Sequence, residues 1–389
     1  MKKTLITCLS AIALLTAFSG SVFSQQKQKI KVAKPPVNND DDSWTFDDKR
    51  SPGTWDAVID ADQVNIQFYG LHWGLGRNIP ASELGPLPTD KISEFVLNRE
   101  AGKASFKGVF QGRFGHGTYQ FEENAQFKAY LAQRGFKGLD NELMMNVFFT
   151  DINKGYFDYL KENGYATITS EQFKDLAEQD LSRKKLTEYF DLFKTEGYRH
   201  QTIDKIVELR EHGVSAKFVN GFRQAGFKNI PLDKVLELRD HGVSPQFISQ
   251  FTALGYKDIS LDKALDLRDH GVNPAFISSI QKMGYGKLTL DKAQELRDHG
   301  VNPQFIDNLK KLGYTNLSLE KAQELRDHGV NADFISGVQK MGFKDLTLDK
   351  AQELRDHGVN LAYMQKVKSK NPDSVKTLDD YIKLRDSGF

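Results

Sequence analysis

The ten residues Lys-Ala-Gln-Glu-Leu-Arg-Asp-His-Gly-Val are written three times, at 292–301, 321–330 and 350–359, and their spacing decides the fold. The His-Gly pair inside them recurs every 29 residues, at His212/Gly213, His241/Gly242, His270/Gly271, His299/Gly300, His328/Gly329 and His357/Gly358. A fixed period of this length marks stacked supersecondary units, each unable to bury its apolar face alone. The expected fold is mainly α: an α-solenoid of 29-residue helix-turn-helix repeats, preceded by a small antiparallel β domain.

One unit can be read from Asn302 to Val330. Asn302 caps a first helix and Pro303 takes its first position, where a missing N–H costs nothing; Ser244-Pro245 and Asn273-Pro274 repeat the device. Phe305, Ile306, Leu309 and Leu312 fall on one helical face, and Gly313 stops the helix before Tyr314. Ser318 caps the second helix, Glu320 favours its positive end, and Leu319, Ala322 and Leu325 supply its buried stripe. His328 lies in the last turn, Gly329 takes the left-handed closing conformation and Val330 packs back. Helices of about 10 residues do not persist alone in water, so neighbouring units must supply the burial.

Upstream the period degenerates. Gly135-Phe136 and Gly164-Tyr165 are 29 residues apart, but Gly197-Tyr198 follows after 33, and the extra residues are expected near Gln179 to Lys185. This gives about eight units, with 125–196 as atypical repeats and 197–389 as the regular solenoid. Thr377 to Gly388 reads as a second helix without its His, and Asn371-Pro372 interrupts what precedes it. A half-repeat cap that completes the chain at Phe389 is expected there.

Residues 44–124 carry a different period. Val64, Ile66 and Phe68 alternate with Asn65 and Gln67, Phe106, Gly108 and Phe110 with Lys107 and Val109, and Tyr119 and Phe121 with Gln120. Gly112, Gly115 and Gly117 fall between two of these runs and read as a hairpin loop needing positive φ. Trp55 and Trp73 read as core residues of the half-buried sheet, with ligand stacking as the alternative.

Residues 1–24 read as a secretory leader: Lys2 and Lys3, an apolar run from Leu5 to Phe18, and Val22-Phe23-Ser24 as a cleavage site. Residues 25–43 are polar and aperiodic, a tether. The apolar run is short for a membrane span, so no integral membrane segment is expected after cleavage. Cys8 is the only cysteine, so the mature chain has no disulfide. The expected location is exported, periplasmic or extracellular.

The chain has 53 basic and 52 acidic residues, interspersed along the repeats, which gives no footprint for nucleic acid. There is no HExxH, GxSxG or phosphate-cradling glycine loop, so no enzymatic activity, cofactor or metal is expected. His116, between Gly115 and Gly117, reads as a turn residue. An unrecognised enzyme would need a polar pocket where the β domain meets the first repeats, near His72, His116 and Asp151.

The candidate binding residues are Arg239, His241, Arg268, His270, Arg297, His299, Arg326, His328, Arg355 and His357. A structural role has each His complementing a helix C-terminus while Arg and Asp of adjacent units form a ladder of ion pairs. A functional role makes the same side chains a linear polar comb for an extended partner. Teeth set by helix stacking, about 10 Å apart, are too far apart for two histidines to share a zinc ion.

The order of these features, from Gly112-Arg113-Phe114-Gly115-His116-Gly117-Thr118-Tyr119-Gln120-Phe121 through Arg134-Gly135-Phe136 to the tandem Leu-Arg-Asp-His-Gly-Val units, resembles a known arrangement. It looks like the exported C-terminal region of antirepressor-type membrane metallopeptidases of the beta-lactam-sensor class, over roughly Val64 to Phe389. The peptidase core of that class is not present in this sequence, so no catalytic residue carries over. The resemblance implies an extracytoplasmic sensing or interaction module. The expected function is an exported, non-enzymatic scaffold whose repeat surface binds a protein, peptide or envelope component. The alternative is a sensory module that answers a ligand or pH and signals to a membrane partner.

Overall fold

The computed structural model describes residues 53–70, 74–370 and 375–388. The leader, the tether, His72, Trp73 and Asn371-Pro372 lie outside the described residues.

Six strands form one antiparallel sheet: β1 (Gly53–Asp60), β2 (Gln63–Tyr69), β3 (Gly74–Pro80), β4 (Ser93–Arg99), β5 (Gly102–Gln111) and β6 (Phe114–Glu123). A short helix, α1 (Ala81–Leu84), follows β3. The order β3-β2-β1-β6-β5-β4 joins two three-stranded meanders along β1 and β6. Alternation does the sorting: Val64, Ile66 and Phe68 are fully buried while Asn65 and Gln67 face outward. Trp55 is buried as expected, edge-on to Phe95 and Phe106, and its indole N–H donates to the Thr118 carbonyl at 3.1 Å.

The expected glycine loop is corrected. Only Gly112 has positive φ, at 60°, in the two-residue turn; Gly115 and Gly117 are strand residues of β6. Their missing side chains make room for neighbours, the Phe110 ring at Gly115 and the β5 backbone at Lys107 and Gly108 for Gly117. A Cβ on Gly115 would strike the Phe110 ring, and Gly117 lies opposite both Trp55 and Gly108, whose own Cβ would meet that indole. His116 consequently lies on a strand, exposed, and not in a turn.

Nine helix pairs follow among the described residues. The first three are α2 (Ala125–Gln133) with α3 (Asn141–Thr150), α4 (Lys154–Glu162) with α5 (Ser170–Glu178), and α6 (Arg183–Glu196) with α7 (Ile203–Glu211). The next three are α8 (Ala216–Gln224) with α9 (Leu232–Asp240), α10 (Pro245–Ala253) with α11 (Leu261–Asp269), and α12 (Pro274–Ile280) with α13 (Leu290–Asp298). The last three are α14 (Pro303–Lys311) with α15 (Leu319–Asp327), α16 (Ala332–Lys340) with α17 (Leu348–Asp356), and α18 (Leu361–Lys370) with α19 (Leu378–Asp386). First helices stack on first helices of the next pair from α6 to α18. The protein is thus a helical-repeat array fronted by a six-stranded sheet.

The caps form as read. Asn302 accepts from the Phe305 N–H at 2.8 Å, Ser244 from Phe247 at 3.1 Å and Ser318 from Lys321 at 3.0 Å. Gly329 has φ 70° and the Val330 N–H reaches the Leu325 carbonyl at 2.7 Å, closing each unit with the left-handed turn.

Two expectations change. The extra residues lie inside α6, 14 residues long where α8, α10 and α14 have 9; about one added turn keeps Leu186, Tyr189, Leu192 and Phe193 on the buried face. The last unit is also a full pair and not a half-repeat. Asn360 caps α18 through the Tyr363 N–H at 2.9 Å, and Tyr363, Met364 and Val367 bury its inner stripe.

The first unit is atypical for a physical reason. Every residue of α3 from Leu143 to Thr150 is buried, because α3 packs against the sheet and α5 together. Phe149 lies 4.3 Å from Phe68 and Phe148 5.0 Å from Phe121, ring centre to ring centre, which makes α3 the join between sheet and array.

Candidate functional site

The second helices of the regular units carry the repeated polar residues, and each histidine is held by the next unit. The His212 imidazole donates from Nδ1 to Asp240 at 2.7 Å, His241 to Asp269 at 2.6 Å and His270 to Asp298 at 2.5 Å. His299 reaches Asp327 at 2.8 Å, His328 contacts Asp356, and His357 reaches Asp386 at 2.9 Å. A carboxylate can only accept, so Nδ1 carries the proton, while His270 also turns Nε2 toward Asp266 of its own helix at 3.6 Å. These hydrogen bonds hold the imidazoles of His241, His270, His299 and His357 above their ordinary range.

The arginines do not join this ladder, contrary to the Arg–Asp pairing that the sequence suggests. Arg239, Arg268, Arg297, Arg326 and Arg355 each lie over a ring of the preceding first helix, Phe218, Phe247, Phe276, Phe305 and Phe334, at 5.2 to 5.4 Å. The same guanidinium approaches the closing glycine of the unit before, as Arg239 does at Gly213, and Arg239 Nε donates to the His212 carbonyl at 3.3 Å. The imidazole does not cap its own helix; the His backbone N–H does, as at His328 to Glu324.

Two further rows escaped the sequence reading. Lys205 pairs with Asp233, Lys263 with Asp291 and Lys350 with Asp379, all at 2.7 Å, while Lys234 contacts Asp262 and Lys321 reaches Asp349 at 2.5 Å. The tyrosine after the first-helix glycine donates to a carbonyl one unit on, as Tyr256 does to Leu288 at 2.6 Å and Tyr285 to Leu317 at 2.7 Å. The signal for both was present as a recurring Lys and Tyr at the 29-residue period. Between the His and Lys rows lies a shallow, open depression of about 370 Å3, lined in one unit pair by Lys263, Asp266, Asp291, Gln294, Asp298 and His299.

The junction of sheet and array holds a buried charge. Arg77 on β3, 8% exposed, donates to Asn146 Oδ1 at 3.1 Å and to the Gly76 carbonyl at 3.0 Å, with Nε 3.4 Å from Asp180. Lys185 contacts the same carboxylate, and burial pushes both Arg77 and Lys185 below their ordinary range. Arg99 closes α3 by donating to the Phe148 and Phe149 carbonyls at 2.8 and 2.7 Å. Asp151 follows α3, with its carboxyl raised chiefly by burial. His116 is not brought to Asp151, because it faces outward across from Asp56 while α3 packs on the inner face.

No group of three or more His, Cys, Asp and Glu side chains is placed to hold a metal ion among the described residues. No helix among them is long and apolar enough to cross a membrane. Comparison of the chain with models of known protein families and with curated proteins gives no match.

Proposed function

We propose that this chain is a non-enzymatic interaction protein, exported from the cytoplasm, whose helical-repeat array binds an extended protein, peptide or envelope component. The observation that carries the reading is the row of six imidazoles, each oriented in the same way by the Asp of the next unit. Identical, half-exposed groups at fixed intervals on a ladder suit a partner with its own repeat. The resemblance to the exported region of antirepressor-type metallopeptidases points the same way, as does the N-terminal leader pattern.

The test is photo-crosslinking in envelope extract, with a crosslinking residue at Glu295, Glu324 or Glu353 beside the imidazole row and, for comparison, at Asn65 on the sheet. One partner recovered from all three ridge positions supports the reading. Adducts from Asn65 with none from the ridge overturn it.

The second reading is a sensory module, and one observation favours it. Four of the six imidazoles are held above their ordinary range by contacts between units, so proton loss weakens the stacking itself. Replacing those four by Gln should remove a pH-dependent transition; a transition that persists in the variant would sink this version.

A further inference from the structure

Six side chains on the outer face of the sheet form a block that neither the core nor the repeat ladders use. Strand register sets Gln67, Asp56 and His116 in one row across β2, β1 and β6, and Asn65, Val58 and Phe114 in the row beside it. Three strands at ordinary spacing, two residues apart along each, give the block a span of roughly 10 Å by 7 Å. It floors a shallow, open depression of about 410 Å3. Phe114 is 67% exposed, an aromatic face turned to water at the edge of this depression.

The chemistry of the block is selective. Among the described residues the side chains of Asp56, Asn65, Gln67 and His116 have no hydrogen-bond or ion-pair partner, although all four line the depression. We infer that the block is a binding site for a neutral saccharide. A sugar ring offers hydroxyls that both donate and accept, and the planar amides of Asn65 and Gln67 do the same. It also offers an apolar face of C–H groups, which Phe114 and Val58 match.

Other occupants fit less well. The block carries one carboxylate and no Lys or Arg, so charge complementarity disfavours phosphates, acidic glycans and nucleic acid. An extended peptide cannot add as a strand, because β1, β2 and β6 are each paired on both sides and their main-chain groups are taken. His116 and Asp56 are two groups, short of a metal set. Residues fixed on interior strands are held in place before the ligand arrives, which suits a shallow site with few contacts. This site is separate from the repeat array and would stand if the repeat reading fell.

The experiment is binding of the full chain to a printed array of neutral and acidic glycans, followed by calorimetry with the neutral oligosaccharide that binds best. Phe114→Ala and, separately, Gln67→Ala are expected to weaken that binding at least tenfold. Both positions are exposed, and circular dichroism checks that each variant folds. Thr315→Ala, at an exposed position between α14 and α15 of the array, is expected to leave it unchanged. Three results overturn the inference: no neutral glycan bound, acidic glycans bound in preference, or neutral-glycan binding that survives both sheet substitutions.

Discussion

The second-helix ridge of the repeats and the outer face of the sheet are both polar surfaces, and they differ in what their polar groups already touch. On the ridge, His299 is held by Asp327 and Lys263 by Asp291 of the next unit, and Arg297 by the Phe276 ring of its own unit, so nearly every conspicuous side chain already has a partner. On the sheet, Asn65, Gln67 and His116 face outward around an exposed phenylalanine. Repetition makes a residue visible in sequence because each unit must grip the next. Availability to a ligand is a different property, and it is read from partners left open.

The largest expected effect lies where pairing is deepest. Arg77→Ala leaves Asp180 and Asn146 without their buried cationic partner at the junction of β3 and α3, and should lower unfolding free energy by about 3 kcal/mol. Tryptophan fluorescence during urea unfolding follows it, because Trp55 is buried in the sheet. A loss below about 1 kcal/mol would show that this pairing does not tie the sheet to the array.

A cap comes next. Asn302→Ala removes the acceptor for the Phe305 N–H inside one regular unit and should cost about 1 kcal/mol, read as an earlier loss of helical circular dichroism. Asn302→Asp should restore most of it. Equal damage from both changes would mean that the cap is not what the side chain contributes.

The ridge itself gives a pH signature. The imidazoles of His241, His270, His299 and His357 have folded-state values raised above the ordinary 6.5 by the Asp of the following unit. A raised value means that the folded state holds the proton more tightly, so this stabilisation is fully present below about pH 6.5 and is lost as pH rises through the raised values. Thermal unfolding of the full chain should therefore shift down as pH rises above about 6.5, and the shift should flatten when all four are changed to Gln. A slope unchanged in that variant would assign the pH response to other groups.

The fold was legible where the sequence repeats a physical requirement. Asn302, Pro303, Gly313, Ser318 and Gly329 each mark a helix end, and each does so in the structure. The ladder partner was not legible. Arg297 and Asp298 are adjacent and so lie about 100° apart on the helix; only one can face the preceding His, and helix rotation decides which. Gly115 and Gly117 misled because glycine signals either a positive φ or room for a neighbour, and only the register with Phe110 and Trp55 distinguishes them. The outer block of the sheet was hidden for a related reason: Asn65, Val58 and Phe114 belong to three separate strands and become neighbours only through pairing.

The smallest expected effect tests the other side of the comparison. If the outward amides of the sheet carry no structural load, Asn65→Ala with Gln67→Ala should change unfolding free energy by less than about 0.5 kcal/mol, the range of surface positions without partners. Tryptophan fluorescence in urea is again the measurement, since both residues lie on β2 beside Trp55 on β1. Alanine is a poorer strand residue than either aromatic or β-branched neighbours, but at outward positions flanked by paired strands that preference is small beside the register fixed by Val64, Ile66 and Phe68. A loss above about 1 kcal/mol would mean that these amides are already engaged, and the difference between the two surfaces would collapse. Stability near wild type together with lost glycan binding would separate the two roles within one variant, because the same substitutions would then act on the ligand and not on the fold.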